Sequence, residues 1–351
     1  MSEAIVLVAA GASTPIGRDV WASAAAVRAG ISGVGQHPYM VDSVGEPMRV
    51  ATAPWLDIDL SGADRLEALL RPAVDQVLAP ILATRAASLN MAIALGLPSP
   101  RPGLQEDIQQ EMIARLRGHY GHLASSAATF ASGHAAGLIA LDAACAKLRV
   151  GALDACVVAG VDSYIEPLTL EWLESCDQLH GAGSLNNAWG FIPGEAGSAV
   201  MLMRESLVES MGLTTLAVVL GTGLATERNC IKTETVCLGE GLTQAFRNAL
   251  SALGAASLVT DVYCDMNGEP YRADEYGFTC LRTRQFFASP SDFVAPADCW
   301  GDTGAAGAPL HLSLAAVAGC KAYAKGGVAF AWASSEKGER AAALLATGRS
   351  A

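Results

Sequence analysis

The stretch VLVAAGASTPIGRDVWASAAAVRAGISGVG, residues 6–35, joins an apolar strand, a glycine turn and an alanine-rich helix. Such a unit is typical of dinucleotide-binding folds, in which the backbone of the turn approaches a pyrophosphate closely. Pro15 stands where that turn needs a glycine, because proline carries a ring and has no N–H group. Residues 30–43 show no second hydrophobic strand ending in an acidic residue. The sequence therefore argues against a dinucleotide turn.

The tyrosines give an independent test for a dinucleotide-dependent dehydrogenase. Short-chain dehydrogenases use a tyrosine and a lysine four residues later, a spacing that places both side chains on one helix face. None of the seven tyrosines of this chain has a lysine at that spacing. The sequence thus lacks the catalytic pair of that enzyme class, and no cofactor is expected.

The composition favours a compact α/β protein, because 51% of the 351 residues are hydrophobic and only 17% are charged. The formal net charge is −12 and no cluster of Lys and Arg is present, which argues against a nucleic-acid partner. No stretch approaches the roughly 20 apolar residues that cross a bilayer. We therefore expect neither nucleic-acid binding nor a membrane span.

The N-terminus and the cysteines bear on location. Met1-Ser2-Glu3 is acidic and the apolar run after it breaks at Gly11, a pattern unlike a secretion signal. The nine cysteines are scattered and form no C-x-x-C pair. We expect reduced thiols in a cytoplasmic protein and no metal site.

Strand-like and helix-like patterns alternate along the chain. The predicted strands are 4–10, 87–96, 154–162, 196–203, 215–223, 257–266 and 326–334, and the predicted helices are 18–29, 104–117, 134–149, 241–253 and 307–319. The order of strand and helix repeats after a seam near residues 205–214. This repetition predicts two similar α/β halves, residues 1–210 and 211–351.

The opening stretch has a further pattern once its helix is included: an S/T-P-hydrophobic-Gly turn, an early Trp and an A-G-x-S-G exit. It resembles the N-terminal segment of the β-ketoacyl-acyl-carrier-protein synthases, which belong to the thiolase-like superfamily. Further stretches resemble that family in the same order. They are GALDACVVAGVDSYIEPLTLEWL (151–173), GFIPGEAGSAVMLMRES (190–206), TLAVVLGTGLATE (215–227) and WGDTGAAGAPLHLSLAAVA (300–318).

The resemblance implies a thiolase-like fold. In it, two βαβαβαββ-type halves stack as a five-layer α-β-α-β-α sandwich, and the protein is usually a homodimer. The resemblance also implies acyl-CoA or acyl-carrier protein as partners.

The family's nucleophile is a cysteine in a T-A-C-x-S/T-G turn at a helix N-terminus, where the helix dipole lowers the thiol pKa. The matching turn here is AATFASGHAAG, residues 127–137. Its Ser132 and Gly133 agree with the family pattern, and Phe130 falls at the nucleophile position. Phenylalanine has no nucleophilic atom, so this match implies that the usual thioester chemistry is lost.

The family's two histidines are also replaced. The motif N-x-H-G-T-G-T matches CDMNGEP, residues 264–270, so that Asn267 takes the first histidine position. The second falls at Gly301 or Asp302, depending on a one-residue gap. Asparagine donates a hydrogen bond but carries no proton between groups, and a carboxylate at the second position repels an enolate.

The family's glycine loop, which completes the oxyanion hole, matches YAKGG, residues 323–327. Gly326 and Gly327 keep the glycines, and Lys325 replaces the second aromatic residue. Matched positions suggest that Lys325 pairs with Asp302 and closes the site.

Other candidate residues allow two interpretations. Ser132 and His134 suggest an acyl-transfer pair, but residues two apart on a helix do not face each other. The alternative is that Ser132 caps the helix and His134 is packed or exposed. Asp265, Glu269 and Arg272 flank Asn267 and form either a functional group or a loop ion-pair network.

The leading hypothesis is a ketosynthase-like protein without condensing activity that acts as a dimeric partner or acyl-ligand-binding subunit. The partner is a second copy or an active ketosynthase. The alternative is an active 3-oxoacyl-carrier-protein synthase or acyltransferase that uses Ser132, His134 or Asn267 with the amides of residues 325–327. A third hypothesis is a structural assembly subunit.

Overall fold

The computed structural model describes residues 3–84 and 89–347. Its strands are β1 (Ile5–Ser13), β2 (Gly35–Val41), β3 (Pro47–Val50), β4 (Met91–Gly96), β5 (Ser126–Phe130), β6 (Ala155–Ser163), β7 (Glu195–Arg204), β8 (Ala217–Thr226), β9 (Asp261–Cys264), β10 (Val328–Ser334) and β11 (Glu339–Ala346). Residues 1 and 2, and the first two residues of the predicted strand 87–96, lie outside the described residues.

The α-helices are α1 (Val20–Arg28), α2 (Gly62–Ala83), α3 (Ile108–Tyr120), α4 (Ala136–Arg149), α5 (Pro167–Ser175), α6 (Glu205–Met211), α7 (Glu240–Leu250), α8 (Pro270–Thr283), α9 (Ala297–Trp300) and α10 (Gly307–Cys320). Short 3₁₀ turns at Gly133–Ala135 and Gly304–Ala306 lead into α4 and α10. Among the described residues, no helix combines the length and the apolar character that crossing a membrane requires.

Nine strands form one mixed sheet in the order β5-β4-β6-β7-β1-β8-β11-β10-β9. A short antiparallel pairing of Ile5–Leu7 with residues 217–219 of β8 joins its two arms. Outward from this seam, β1-β7-β6-β4 and β8-β11-β10-β9 follow the same pattern of chain order. The first arm then adds β5. At the end of the second arm, Phe287 makes a single parallel bridge with Val259, and Val294 makes one with Tyr263 of β9.

The two arms enclose α4 and α10. The central core joins Leu141 of α4 and Leu312 of α10 to Val158 of β6 and Ala331 of β10. Residues 307–318 of α10 are all buried, as expected for a helix that is apolar on every side. Helices α2 and α3 cover the outer face of the first arm and α7 that of the second. This arrangement confirms the predicted thiolase-like α-β-α-β-α class.

The structure corrects the sequence analysis at residues 30–43, where no strand is evident from the sequence. Strand β2 lies there and pairs with β3 in a small antiparallel sheet. Most of its side chains are exposed, so the apolar run that marks a buried strand is missing. Helix α2 contains Pro72 and Pro80, residues that normally end a helix, so its sequence likewise gives a weak helical signal.

Close packing of α2 on β7 leads to a stability prediction. A Cβ atom at Gly197 of β7 would lie 2.1 Å from the carbonyl oxygen of Leu69, so α2 would have to move. We expect Gly197→Ala to lower the free energy of unfolding by roughly 1–3 kcal/mol, measured by urea denaturation. Gly35→Ala is the control, because nothing lies within 4 Å of the added atom. Equal stability of the two variants would contradict this packing.

Candidate functional site

The candidate site lies where β5, β9 and β10 end. Phe130 is the last residue of β5, Asn267 follows β9 by three residues, and Ser334 is the last residue of β10. The 3₁₀ turn before α4 packs against the 3₁₀ turn before α10 and against β10. Loops at the carboxyl ends of strands commonly carry functional side chains, because a rigid sheet positions them.

Asp302, in the loop before α10, is the centre of a buried hydrogen-bond network. Its two carboxylate oxygens lie 2.9 and 3.0 Å from Nε2 of His134. The side-chain amide of Asn267 donates to Oδ2 at 2.7 Å, and the backbone N–H of Gly304 donates to Oδ1 at 2.8 Å. Two predicted site residues, His134 and Asn267, thus both contact a third, Asp302.

The charges of this network support each other. Burial alone would raise the pKa of Asp302, but His134 and Arg272 outweigh it and hold that pKa well below its ordinary value. Burial alone would lower the pKa of His134, but the Asp302 carboxylate outweighs it and raises that pKa. Burial and the neighbouring charge of His134 outweigh the attraction of Asp302 at His311 and lower the pKa of His311 to about 3. We infer a charged His134–Asp302 pair beside a neutral His311.

Arg272 of α8 forms the second centre of the network. Its Nη1 donates to Oδ2 of Asp265 and to the carbonyl oxygen of Ser334, each at 2.9 Å. Its Nε lies 3.5 Å from Glu269, whose other oxygen is 3.3 Å from Nζ of Lys232. Arg272 is 1% exposed, so these contacts replace water around its charge. The ion-pair interpretation of Asp265, Glu269 and Arg272 is confirmed.

A second charged pair, Arg101 and Asp162, adjoins the network. A Cβ atom at Gly304 would lie 2.0 Å from Oδ2 of Asp162, so only glycine permits this approach. That oxygen accepts the N–H of Ala305 at 3.0 Å. Arg101 donates to the other oxygen at 2.6 Å, and its guanidinium lies 4.0 Å above the ring of Tyr164.

A cleft of about 150 Å³ opens beside these residues. Its lining combines aromatic and apolar residues with charged ones. They include Pro100, Arg101, Gly133, His134, Asp162, Tyr164, Trp172, Leu173, Ser335, Glu336 and Lys337. Phe130 is not among the described lining residues, and its side chain packs, partly buried, against the central core.

Ser132 differs from its helix-cap interpretation, whereas His134 is packed, as one of its two interpretations expects. Ser132 precedes the 3₁₀ turn, but its hydroxyl makes no capping hydrogen bond, and its carbonyl oxygen accepts from Ser335. His134 is buried and faces Asp302 rather than Ser132. The helix-cap interpretation of Ser132 is therefore wrong.

The prediction for Lys325, Gly326 and Gly327 is also wrong. These residues precede β10, whereas the candidate site lies after it, and seven residues of strand span about 20 Å. The N–H groups of Lys325 and Gly326 donate to Asp261 at the start of β9. The ammonium of Lys325 lies 2.6 Å from Asp292, so the predicted ion pair with Asp302 does not form.

The loop that reaches the site instead joins β10 to β11. The hydroxyl of Ser335 accepts the N–H of Ala135 at 2.9 Å and donates to the carbonyl oxygen of Ser132. Glu336 of this loop pairs with Lys232. The sequence carries a signal for this loop, because the polar tetrad SEKG separates two apolar runs in the manner of a hairpin.

Comparisons with known proteins agree with this fold. The family model "Beta-ketoacyl synthase, N-terminal domain" matches residues 100–207. The non-reducing polyketide synthase Preu3 of Preussia isomera is 27% identical over 177 residues, which is 49% of this chain and 7% of that protein. This chain therefore corresponds to a small part of the curated relative.

Solved structures match almost the whole chain. A chain of a type II polyketide synthase acyl-carrier protein in complex with its ketosynthase bound to the hexaketide has a TM-score of 0.80 at 13% identity, covering 99% of this chain and 100% of that one. The chain therefore shares the thiolase-like fold of this ketosynthase structure. A complex of a ketosynthase with its chain length factor from Xenorhabdus doucetiae gives a TM-score of 0.78 at 15% identity, covering 99% and 98%.

The pairing of Asp302 with His134 gives a prediction about ionisation. Removing the charge of Asp302 in Asp302→Asn leaves His134 buried without its counter-charge, so its pKa should fall, as judged by NMR titration of the imidazole. The free energy of unfolding should fall by roughly 3–5 kcal/mol near neutral pH. Asp298→Asn, on an exposed residue of α9, is the control.

The His134–Asp302 pair makes stability depend on pH in two ways. The raised pKa of His134 stabilises the fold at low pH, and this contribution is lost as pH rises through the folded-state value. The lowered pKa of Asp302 stabilises the fold above the ordinary carboxyl range, and this contribution is lost in acid. An unchanged His134 titration in Asp302→Asn would contradict the pairing.

Proposed function

We propose that this ketosynthase-like chain lacks condensing activity and serves as a dimeric partner or acyl-ligand-binding subunit. The observation that carries the proposal is the pairing of Asp302 with His134 and Asn267. Condensation as the family performs it needs a thiolate and imidazoles around the reacting carbon. The matched positions here hold Phe130, Asn267 and the Gly301–Asp302 pair.

The electrostatics of the site support the absence of condensation. An enolate formed beside the ionised Asp302 meets a like charge in a buried setting, where repulsion is strong. His134 and Asn267 direct their hydrogens at Asp302 and would have to abandon that carboxylate to stabilise a second anion. Such a rearrangement leaves a buried charge without a partner, which is costly.

The cleft beside His134 supports a ligand-binding role over a purely structural one. Its volume of about 150 Å³ suits a short group, and Tyr164 and Trp172 supply apolar surface. Arg101 and Lys337 add polar contacts at the same wall. A closed, fully packed site would favour an assembly subunit.

The edge of the nine-stranded sheet supports a protein partner. Strand β5 pairs with β4 on one side, and its other side has no strand among the described residues. Its five residues, SAATF, include no charge and are all at least partly exposed. Flat, uncharged edges are prone to pair with another chain, whereas exposed monomeric edges usually carry charge or proline. We place the dimer contact, with a second copy or a ketosynthase, at this edge.

Intact-mass spectrometry tests the loss of condensing chemistry. The purified chain is incubated with short and long acyl-CoA and with acyl-carrier protein, and an active ketosynthase treated in parallel is the positive control. We expect no added acyl mass, because Phe130 and its surroundings offer no activated nucleophile. An adduct that hydroxylamine reverses would overturn the proposal.

Two variants locate any adduct that does form. Ser132→Ala tests a hydroxyl two residues from the family's nucleophile position, and Cys176→Ser tests an exposed thiol. Loss of the adduct in Ser132→Ala alone would establish the alternative acyltransferase function. Loss in Cys176→Ser alone would identify a surface reaction, and the proposed function would stand.

A charge on β5 tests the dimer contact. Ala128 is exposed on this strand, and Ala128→Lys places an ammonium on the free edge. We expect the dimer to dissociate to monomer in sedimentation velocity. Ala256→Lys, at an exposed residue after α7, should leave the dimer intact. Dimers of equal stability in both variants would place the contact elsewhere.

A further inference from the structure

A second cluster of ionisable side chains lies apart from the candidate site. Glu227 directly follows β8, Cys237 precedes α7, and Glu275 is in the second turn of α8. One ligand atom from each residue lies within 4.8 Å of the other two. Glu227 is 3% exposed, Glu275 is 0% exposed, and Cys237 is partly exposed. The cluster is therefore buried but can be reached from solvent on the thiol side.

Each carboxylate of the cluster is held in a fixed orientation. The oxygens of Glu227 accept backbone N–H groups of Asn229 at 3.1 Å and Gly241 at 2.7 Å. Oε1 of Glu275 accepts Nε of Arg340 at 2.6 Å. Such second contacts are what orient carboxylate ligands in metal sites.

One carboxylate oxygen of Glu275 lacks a partner among the described residues. Oε2 of Glu275 is buried and forms no hydrogen bond within the described part of the chain. A buried carboxylate oxygen without a donor is costly, because water has been removed and nothing replaces it. This oxygen is an independent sign that a ligand of positive charge belongs here.

The charges of the cluster are also unbalanced. Glu227 and Glu275 contribute two negative charges, and Arg340 contributes one positive charge. A divalent cation together with a Cys237 thiolate would bring the sum to zero. A buried cluster gains from such neutrality, since an uncompensated charge is poorly solvated there.

The spacing of Cys237 and Glu275 suits a tetrahedral ion. Sγ of Cys237 lies 3.7 Å from Oε1 of Glu275. Two ligands at ordinary Zn–S and Zn–O distances in tetrahedral geometry are separated by roughly 3.6 Å. We propose that Glu227, Cys237 and Glu275 bind one divalent transition-metal ion of the Zn²⁺ class, with water at the fourth position. This site does not depend on the proposed function.

Binding exchanges a proton for the ion. Burial and the neighbouring carboxylate of Glu275 raise the pKa of Cys237 to about 11, so the thiol is protonated without metal. The ion takes the sulfur lone pair as the S–H proton leaves to solvent. Calorimetric titration with Zn²⁺ in two buffers of different ionisation enthalpy should therefore report release of about one proton for each ion bound.

Cobalt titration tests the site directly. The full-length chain is stripped with chelator and titrated with Co²⁺, whose thiolate complex has a near-ultraviolet charge-transfer band. We expect one equivalent of Co²⁺ to produce the full band. Added Zn²⁺ should displace the Co²⁺ and remove the band. Cys237→Ser should abolish the band, and Glu227→Gln should weaken binding by at least about tenfold. Cys176→Ser, at an exposed cysteine, should behave as wild type.

Circular dichroism of each variant checks that the fold is kept. Cys237 is only partly buried and serine is of similar size, so its serine variant should remain folded. The proposal fails if wild type gives no band, or if a folded Cys237→Ser keeps it. It also fails if Cys176→Ser loses the band, because the metal would then be bound at the surface.

Discussion

The close approach of α4 and α10 is the constraint on which the site depends. A Cβ atom at Gly137 of α4 would lie 2.5 Å from Cδ of Pro309 in α10, so the helices meet almost backbone to backbone. A Cβ atom at Gly160 of β6 would similarly lie 2.4 Å from the carbonyl oxygen of Ala305. Small residues therefore bring the starts of both helices together. His134 and Asp302 precede these helices and become neighbours for that reason.

Once these two residues meet in a buried place, their charges determine the rest of the site. Asp302 needs donors on both oxygens, and His134, Asn267 and Gly304 supply them. Arg272 lies 3.3 Å from Nε2 of His134 and is in turn held by acidic neighbours. The site is therefore largely satisfied by its own residues. This self-sufficiency suits a binding or partner subunit better than an enzyme that must shift protons.

The sequence predicts the fold well because collinear motifs and alternating apolar runs are local features. It also points to Asn267 and Asp302, which follow recognisable strand and helix boundaries. It fails for Lys325, because a pair of glycines before a strand matches the family's glycine loop by residue type alone, and residue type does not show which loop meets the candidate site. It cannot predict that Arg272 approaches His134, since 138 residues separate them and no local pattern records the contact.

Backbone hydrogen bonds link the free edge of β5 to the cleft. The N–H of Leu97, after β4, donates to the carbonyl oxygen of Phe130 at 2.9 Å. The carbonyl oxygen of Leu97 in turn accepts the N–H of Gly133 at 3.1 Å. The ladder between β4 and β5 thus continues to the residue before His134. A chain bound along β5 would hold the strand that carries one wall of the cleft, so that partner binding and ligand binding act on one rigid element.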